Sequence, residues 1–363
     1  MERAPIALDD ARRLIEAMPK AELHLHLDGS LRIDTAVELA RSRAVDAPQD
    51  AEGMAAVLVA PERCANQAEL LRAFDLPIAL MQDADALERI AFELVETKAA
   101  DNVRYVEIRW GPLLHVRGGL PLDDGIAAVC SGAQRGAAEH GVTIRLICTA
   151  LRSHDPADNV RLAETAARFI DRGLTGFDLA GPEEAFPDPL DQRRAFEAAR
   201  AGGVRITVHA GEWGGAAQVR RALALDPERI AHGPGTIDDP GLCRELIDRD
   251  IPLDLCPTSN VQAGIFPSLG EHPLARLHRA GVPVTLSTDD MTVSNISLSD
   301  EYERAVHAIG LTLPEIWAIN RHALDVAFAD EASVASLRGE FDAWGPEVNF
   351  NSGRPSQRLP VRP

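Results

Sequence analysis

Four short segments of this chain carry residue types that can do chemistry. The first is His24-Leu25-His26-Leu27-Asp28. On an extended strand side chains alternate faces, so His24, His26 and Asp28 project together while Leu23, Leu25 and Leu27 face away. Two imidazoles on one face can converge on a zinc ion. A lone histidine there is more often a satisfied polar core residue; H-x-H with a same-face aspartate favours a metal without settling it. The second segment, His209-Ala210-Gly211-Glu212, offers a third imidazole and a carboxylate where the chain turns toward a helix. Glu212 can serve as general acid or base if burial raises its pKa, although a glutamate at a helix N-terminus is commonplace. The third is Ala231-His232-Gly233, where functional and structural readings of His232 balance. The fourth is Ser287-Thr288-Asp289-Asp290. Adjacent aspartates cannot both face inward along a regular strand, so one can bind metal while the next leans toward a ligand. A bare turn with a capping aspartate is the competing reading.

The elements that must position these segments follow from hydrophobic patterning. Short β-like runs fall at 21–30, 104–112, 143–151, 173–181, 205–212, 229–233, 252–260 and 283–290, each ending in polar or glycine-rich residues. Amphipathic helical stretches such as 159–171 and 190–201 lie between them. Strand–helix alternation through eight units predicts an α/β fold, a closed (β/α)8 barrel of the TIM type. A doubly wound open sheet is the alternative, but no G-x-G-x-x-G follows the first strand. The segment 31–103, between strands one and two, reads as a helical insertion that either lids the barrel mouth or pads its rim. Residues 1–343 are expected to form one domain, and the polar, proline-rich 344–363 a poorly ordered tail. The four chemical segments thus end strands one, five, six and eight, on the face where barrel enzymes gather their catalytic groups. Four independent coincidences are a poor explanation. Three histidines and one carboxylate make a zinc shell with room for water.

Bulk properties narrow the function further. The chain has 363 residues, is 45% hydrophobic and carries a formal charge of -19. That surface repels phosphate backbones, so nucleic acid is not an expected partner. No apolar run is long enough for a membrane, and the N-terminus lacks the apolar core of a signal peptide, so a cytoplasmic enzyme is expected. The five cysteines are scattered, without a C-x-x-C pair, and read as free, mostly buried thiols. Only two lysines occur, Lys20 and Lys98, neither near the end of strand four. A binuclear site bridged by a carboxylated lysine there is therefore excluded.

These motifs, with DLAG at 178–181, CPTSN at 256–260 and LSTDD ending at Asp290, resemble those of the adenosine deaminase family within the amidohydrolase superfamily. The resemblance spans about Lys20 to Leu324. It implies zinc-dependent hydrolytic deamination of adenosine or 2′-deoxyadenosine, one Zn²⁺ per chain, and a monomer or homodimer acting on a small purine nucleoside. By the same resemblance His24, His26, His209 and Asp289 match the zinc ligands, and Glu212 the proton shuttle to purine N1. His232 matches the group orienting the attacking hydroxide, and Asp290 a catalytic carboxylate that contacts N7 and the attacking water. Gly181 matches a backbone donor to N3 and Asp28 a contact to the ribose 5′-hydroxyl, so His26, Asp28, Gly181 and Asp290 are expected on the substrate side. Met291 stands where the family often has proline, and Pro182-Glu183 follow DLAG; both departures bear on the rim and substrate scope. Rival substrates are adenine and aminodeoxyfutalosine. A nucleotide would need a local cation pair, for which Arg72 and Arg152 are candidates, and a non-catalytic purine-binding barrel is a remote alternative.

Overall fold

The computed structural model describes residues 8–345 and a short antiparallel ladder that pairs Val348–Asn349 with Arg354–Pro355. The expected tail at 344–363 therefore lies largely outside the described residues. Eight strands follow one another as β1 (Lys20–His26), β2 (Val103–Trp110), β3 (Thr143–Leu151) and β4 (Leu174–Ala180). Then come β5 (Arg205–His209), β6 (Arg229–Ala231), β7 (Leu253–Leu255) and β8 (Val284–Leu286). They pair in sequential order and all in parallel. A parallel bridge between Leu25 and Asp289 closes the ring, with His26 N donating to Asp289 O at 2.7 Å and Asp289 N to His24 O at 3.1 Å. The predicted (β/α)8 barrel is what the chain forms.

The alternation read from β1 holds over its second half: Leu23, Leu25 and Leu27 are buried in the main apolar core, while His24 and His26 turn to the mouth. Glu22 instead meets Lys98 of the helix Ala84–Ala100 at 2.6 Å, where the register of β1 shifts. The lumen beneath the mouth is not aliphatic. Arg109, Asp178, Asp254, Arg229 and Glu107 are all fully buried there and pair with one another. Charges in such a place persist only when paired and hydrogen-bonded.

Helices occupy the expected gaps. Residues 159–171 fall in a helix at Pro156–Ala166 that tightens to a 3₁₀ turn over Ala167–Arg172. Residues 190–201 fall in a turn at Pro189–Gln192 and a helix at Arg193–Ala201. The insertion holds helices at Ile33–Arg43, Ala51–Leu58, Gln67–Leu71, Asp75–Leu80 and Ala84–Ala100. Asp50, Asn66 and Asp83 start three of them by accepting a backbone N–H with their side chains. The long last helix joins the outer ring against Leu122–His140. A Cβ on Gly132 would sit 2.0 Å from Glu88 O, so glycine is what lets these two helices approach. The stretch from Gln67 to Ile78 instead reaches over the barrel mouth. The insertion is thus divided: Gln67–Ile78 lines the cavity at the mouth, and Ala84–Ala100 packs in the outer ring. Among the described residues no helix is long and apolar enough to cross a membrane, and all five cysteines are free.

Candidate active site and metal centre

The four chemical segments meet at the C-terminal mouth. His24 and His26 come from the end of β1, and His209 is the last residue of β5. His232 and Asp289 lie one and three residues beyond the ends of β6 and β8. Both adopt left-handed backbone conformations, φ 67° at His232 and 66° at Asp289, which cost energy for residues with a Cβ. The kink at Asp289 answers the difficulty of the paired aspartates. The chain has left the strand, so Asp289 and Asp290 both face the same cavity. Gly29 makes room for this: a Cβ there would fall 1.8 Å from Asp290 Oδ1.

His24 Nε2 and His26 Nε2 lie 3.1 and 3.2 Å from His209 Nε2, and 3.1 and 3.4 Å from Asp289 Oδ1. Ligand atoms around a tetrahedral zinc, at roughly 2.0–2.1 Å from the metal, stand about 3.3 Å apart. The cluster already has that spacing. Burial holds the His24 imidazole well below the usual histidine range, aided by Arg109, and brings His26 down to about 4. Neutral imidazoles offer the lone pairs a metal needs. Asp178 Oδ2 lies 2.8 Å from His209 Nδ1 and fixes that ring, and Ser259 Oγ donates to Asp289 Oδ2 at 2.7 Å. Such outer partners orient metal ligands. The donor set, its spacing and these supports all fit a zinc ion.

The remaining residues surround this cluster. His232 Nε2 stands 3.7 Å from Asp289 Oδ2 and 3.8 Å from Glu212 Oε2, and burial brings the imidazole down to about 3. Asn260 lies 3.3 Å from His232 Nδ1 and fixes the ring from behind. Glu212 is pushed well above the ordinary carboxyl range by burial, then by Asp289, Glu183 and Asp290. Burial and the adjacent Asp289 push Asp290 up in the same way. Glu183 sets the turn that presents Glu212, accepting from Gly211 N, Trp213 N and Gly214 N at 2.7, 2.9 and 3.0 Å. Gly181 (φ 105°) and Asp28 line the same cavity. Every predicted site residue is thus at the mouth.

The cavity measures about 280 Å³. Its outer wall is Leu70, Leu71, Phe74 and Ile78 from the insertion, joined by Leu114, Leu151 and Trp213. Among the described residues no arginine or lysine lines it. Arg72, one of the two candidates for a nucleotide, is 70% exposed and turned to Glu69. Arg152, the other, is buried and donates to His209 O and Phe186 O at 2.9 and 3.1 Å. Neither of these two candidate arginines is placed to hold a phosphate in the cavity. Sequence reading assigned no role to Asp178, Glu183, Ser259 or Asn260. The motifs DLAG and CPTSN contain three of them, but a lone polar residue in a motif does not say what it will touch.

A sequence model of the adenosine deaminase family matches residues 19–344. An adenosine deaminase of Vibrio vulnificus is 39% identical over 319 residues, covering 87% of this chain and 96% of that protein. An adenine deaminase structure from Arthrobacter aurescens superposes with TM-score 0.84 at 26% identity, over 90% of this chain and 99% of its own. A zinc-bound amidohydrolase from Burkholderia ambifaria gives TM-score 0.84 at 29% identity, over 94% of both chains. An N6-methyl-AMP deaminase from Arabidopsis gives 0.81 at 30% identity, over 91% of this chain and 99% of its own. A site of this geometry, on a barrel of this topology, with relatives of this closeness along nearly its whole length, places the chain in the adenosine deaminase family of hydrolytic enzymes that act on C–N bonds.

Proposed function

We propose that the chain hydrolyses adenosine and 2′-deoxyadenosine to inosine and 2′-deoxyinosine plus ammonia, with one zinc ion held by His24, His26, His209 and Asp289. The observation that carries this reading is the pairing of that four-atom cluster with a buried Glu212, its carboxyl pushed well above the ordinary range, across the same cavity. A bound zinc would supply the nucleophile, because it lowers the pKa of water toward about 7. Glu212 donates its proton to purine N1, so that the ring can accept electrons as C6 becomes tetrahedral. His232, a neutral base beside both Glu212 and Asp289, orients the attacking water toward C6. Asp290, protonated, donates to N7 and fixes the ring in its plane. Gly181 N–H faces N3, and Asp28 accepts the ribose 5′-hydroxyl. The amino group then leaves as ammonia.

The structural neighbours include enzymes named for adenine and for an AMP derivative, so the purine itself needs argument. A phosphate would enter a cavity lined by Asp28, Glu212, Asp289 and Asp290 with no cation to receive it. Free adenine would leave Asp28 without a partner. Both considerations favour an uncharged nucleoside. A deamination panel tests this: adenosine, 2′-deoxyadenosine, adenine, AMP and aminodeoxyfutalosine, followed by ultraviolet absorbance. The two nucleosides should have the highest kcat/KM; a preference for adenine or AMP would sink the reading.

A further inference from the structure

His115 is a buried polar residue beside this pocket to which the chemistry above gives no task. It follows the single turn Pro112–Leu114 at the end of β2, and its own N–H donates to Pro112 O at 3.1 Å. The side chain is 1% exposed. Its Nε2 lies 3.5 Å from Asp28 Oδ2, and neither ring nitrogen has a closer polar partner among the described residues. Burying an imidazole against one distant acceptor is unfavourable unless that pairing is used. Asp28 Oδ2 also has Gly111 N at 3.5 Å, so both donors approach the same oxygen from the side of the loop. Asp28 Oδ1 is buried and unpartnered, with His26 Nδ1 3.8 Å away, and Asp28 lines the cavity.

We propose that His115 is a positioning residue that sets recognition of the substrate's 5′ end. By holding Asp28 Oδ2 from behind, it aims Oδ1 into the cavity as the acceptor for a 5′-hydroxyl. The inference rests on the nucleoside reading above and deepens it. A carboxylate fixed in this way rewards a substrate that brings a donor and gains nothing from one that lacks it. His115 touches no reacting atom, so its effect belongs in KM for hydroxyl-bearing substrates and not in the chemical step.

The test compares adenosine with 5′-deoxyadenosine on wild type, His115→Leu, His115→Gln and Asp28→Ala. His115→Leu should raise KM for adenosine roughly ten-fold, the scale of a weakened hydrogen bond to a charged group. KM for 5′-deoxyadenosine should move less than about two-fold, and kcat should hold for both. His115→Gln, which keeps an N–H donor, should recover most of the loss. In the Asp28→Ala background, adding His115→Leu should cost nothing further, because the two residues act as one unit. Zinc content and melting temperature are measured on each variant. Equal losses on both substrates, or full additivity with Asp28→Ala, would overturn the inference while leaving the deaminase reading intact. Absence of nucleoside deamination by the wild-type chain would overturn both.

Discussion

Beneath the His–Asp cluster the pocket rests on buried ion pairs, whereas the wall that faces it is a thin apolar arch. In the floor, Arg109 reaches Asp178 at 3.1 Å, Leu23 O at 2.7 Å and Asp254 at 3.8 Å, and Arg229 joins Asp254 at 3.2 Å. Asp178 in turn lies 2.8 Å from His209 Nδ1, so the ionic layer and the cluster are directly joined. In the arch, Leu70, Ala73 and Phe74 belong to a small separate cluster with Cys64, Ala263, Val293 and Trp213. Phe74 is half-buried and Leu71 exposed. Chemistry that needs atoms held within a few tenths of an ångström sits on interlocked charges; contact with the substrate's outer parts sits on side chains that can yield.

That contrast can be broken from either side. The largest loss is expected from Arg109→Met, which takes from Asp178 its buried guanidinium partner and leaves Asp254 to Arg229 alone. Breaking such a network costs about 3–5 kcal/mol, so the denaturant midpoint should fall sharply and zinc retention with it. A silent substitution would mean that the layer is not holding the site.

A pH effect of smaller size belongs to the same floor. Glu301 accepts Thr258 N at 2.9 Å and the Thr258 hydroxyl, and so backs the helix Pro257–Gln262 that carries Ser259 to Asp289. Burial raises its carboxyl to about 7 from an ordinary 4.5. Unfolding therefore releases its proton between those values. The stabilisation is fully present below about pH 4.5 and lost as pH rises through about 7, to the extent of roughly 3 kcal/mol. Glu301→Gln should flatten this slope relative to wild type in urea melts taken across the range; an unchanged slope would remove Glu301 from the account.

The smallest effect is expected in the arch. Phe74→Ala should raise KM a few-fold, leave kcat nearly untouched and shift stability by no more than about 1 kcal/mol, since the ring is only half-buried. A fall in kcat matching that of floor variants would show that the wall helps to position reacting atoms and would erase the distinction.

The floor and the arch also differed in how far they could be read from sequence. All eight strands were legible because hydrophobic runs bounded by turn residues have a simple local cause. His24, His26, His209, His232 and Asp289 were legible because each ends such a run. The ionic layer was not. Arg109 and Asp178 sit within the second halves of β2 and β4, where an alternating polar residue reads equally as solvent-facing, and only barrel closure turns them inward. Glu183 was legible only as a departure after DLAG, since its three backbone partners come from a turn near residue 212 that no local pattern links to it. The arch was legible as helix, but sequence left covering the mouth and padding the rim equally open, because amphipathic spacing does not say which element will lie beneath. The double aspartate needed the left-handed turn at Asp289, which sequence alone does not announce for a residue other than glycine.

The claim on which the rest depends is that Glu212 delivers the proton while the three histidines and Asp289 hold the metal. Turnover of adenosine by Glu212→Gln, measured at a zinc content matched to wild type, addresses it most directly. Glutamine keeps the size and a donor but has no proton to give, so turnover should fall by roughly 10²–10⁴-fold with zinc still bound. Near-normal turnover at full zinc occupancy would contradict the account.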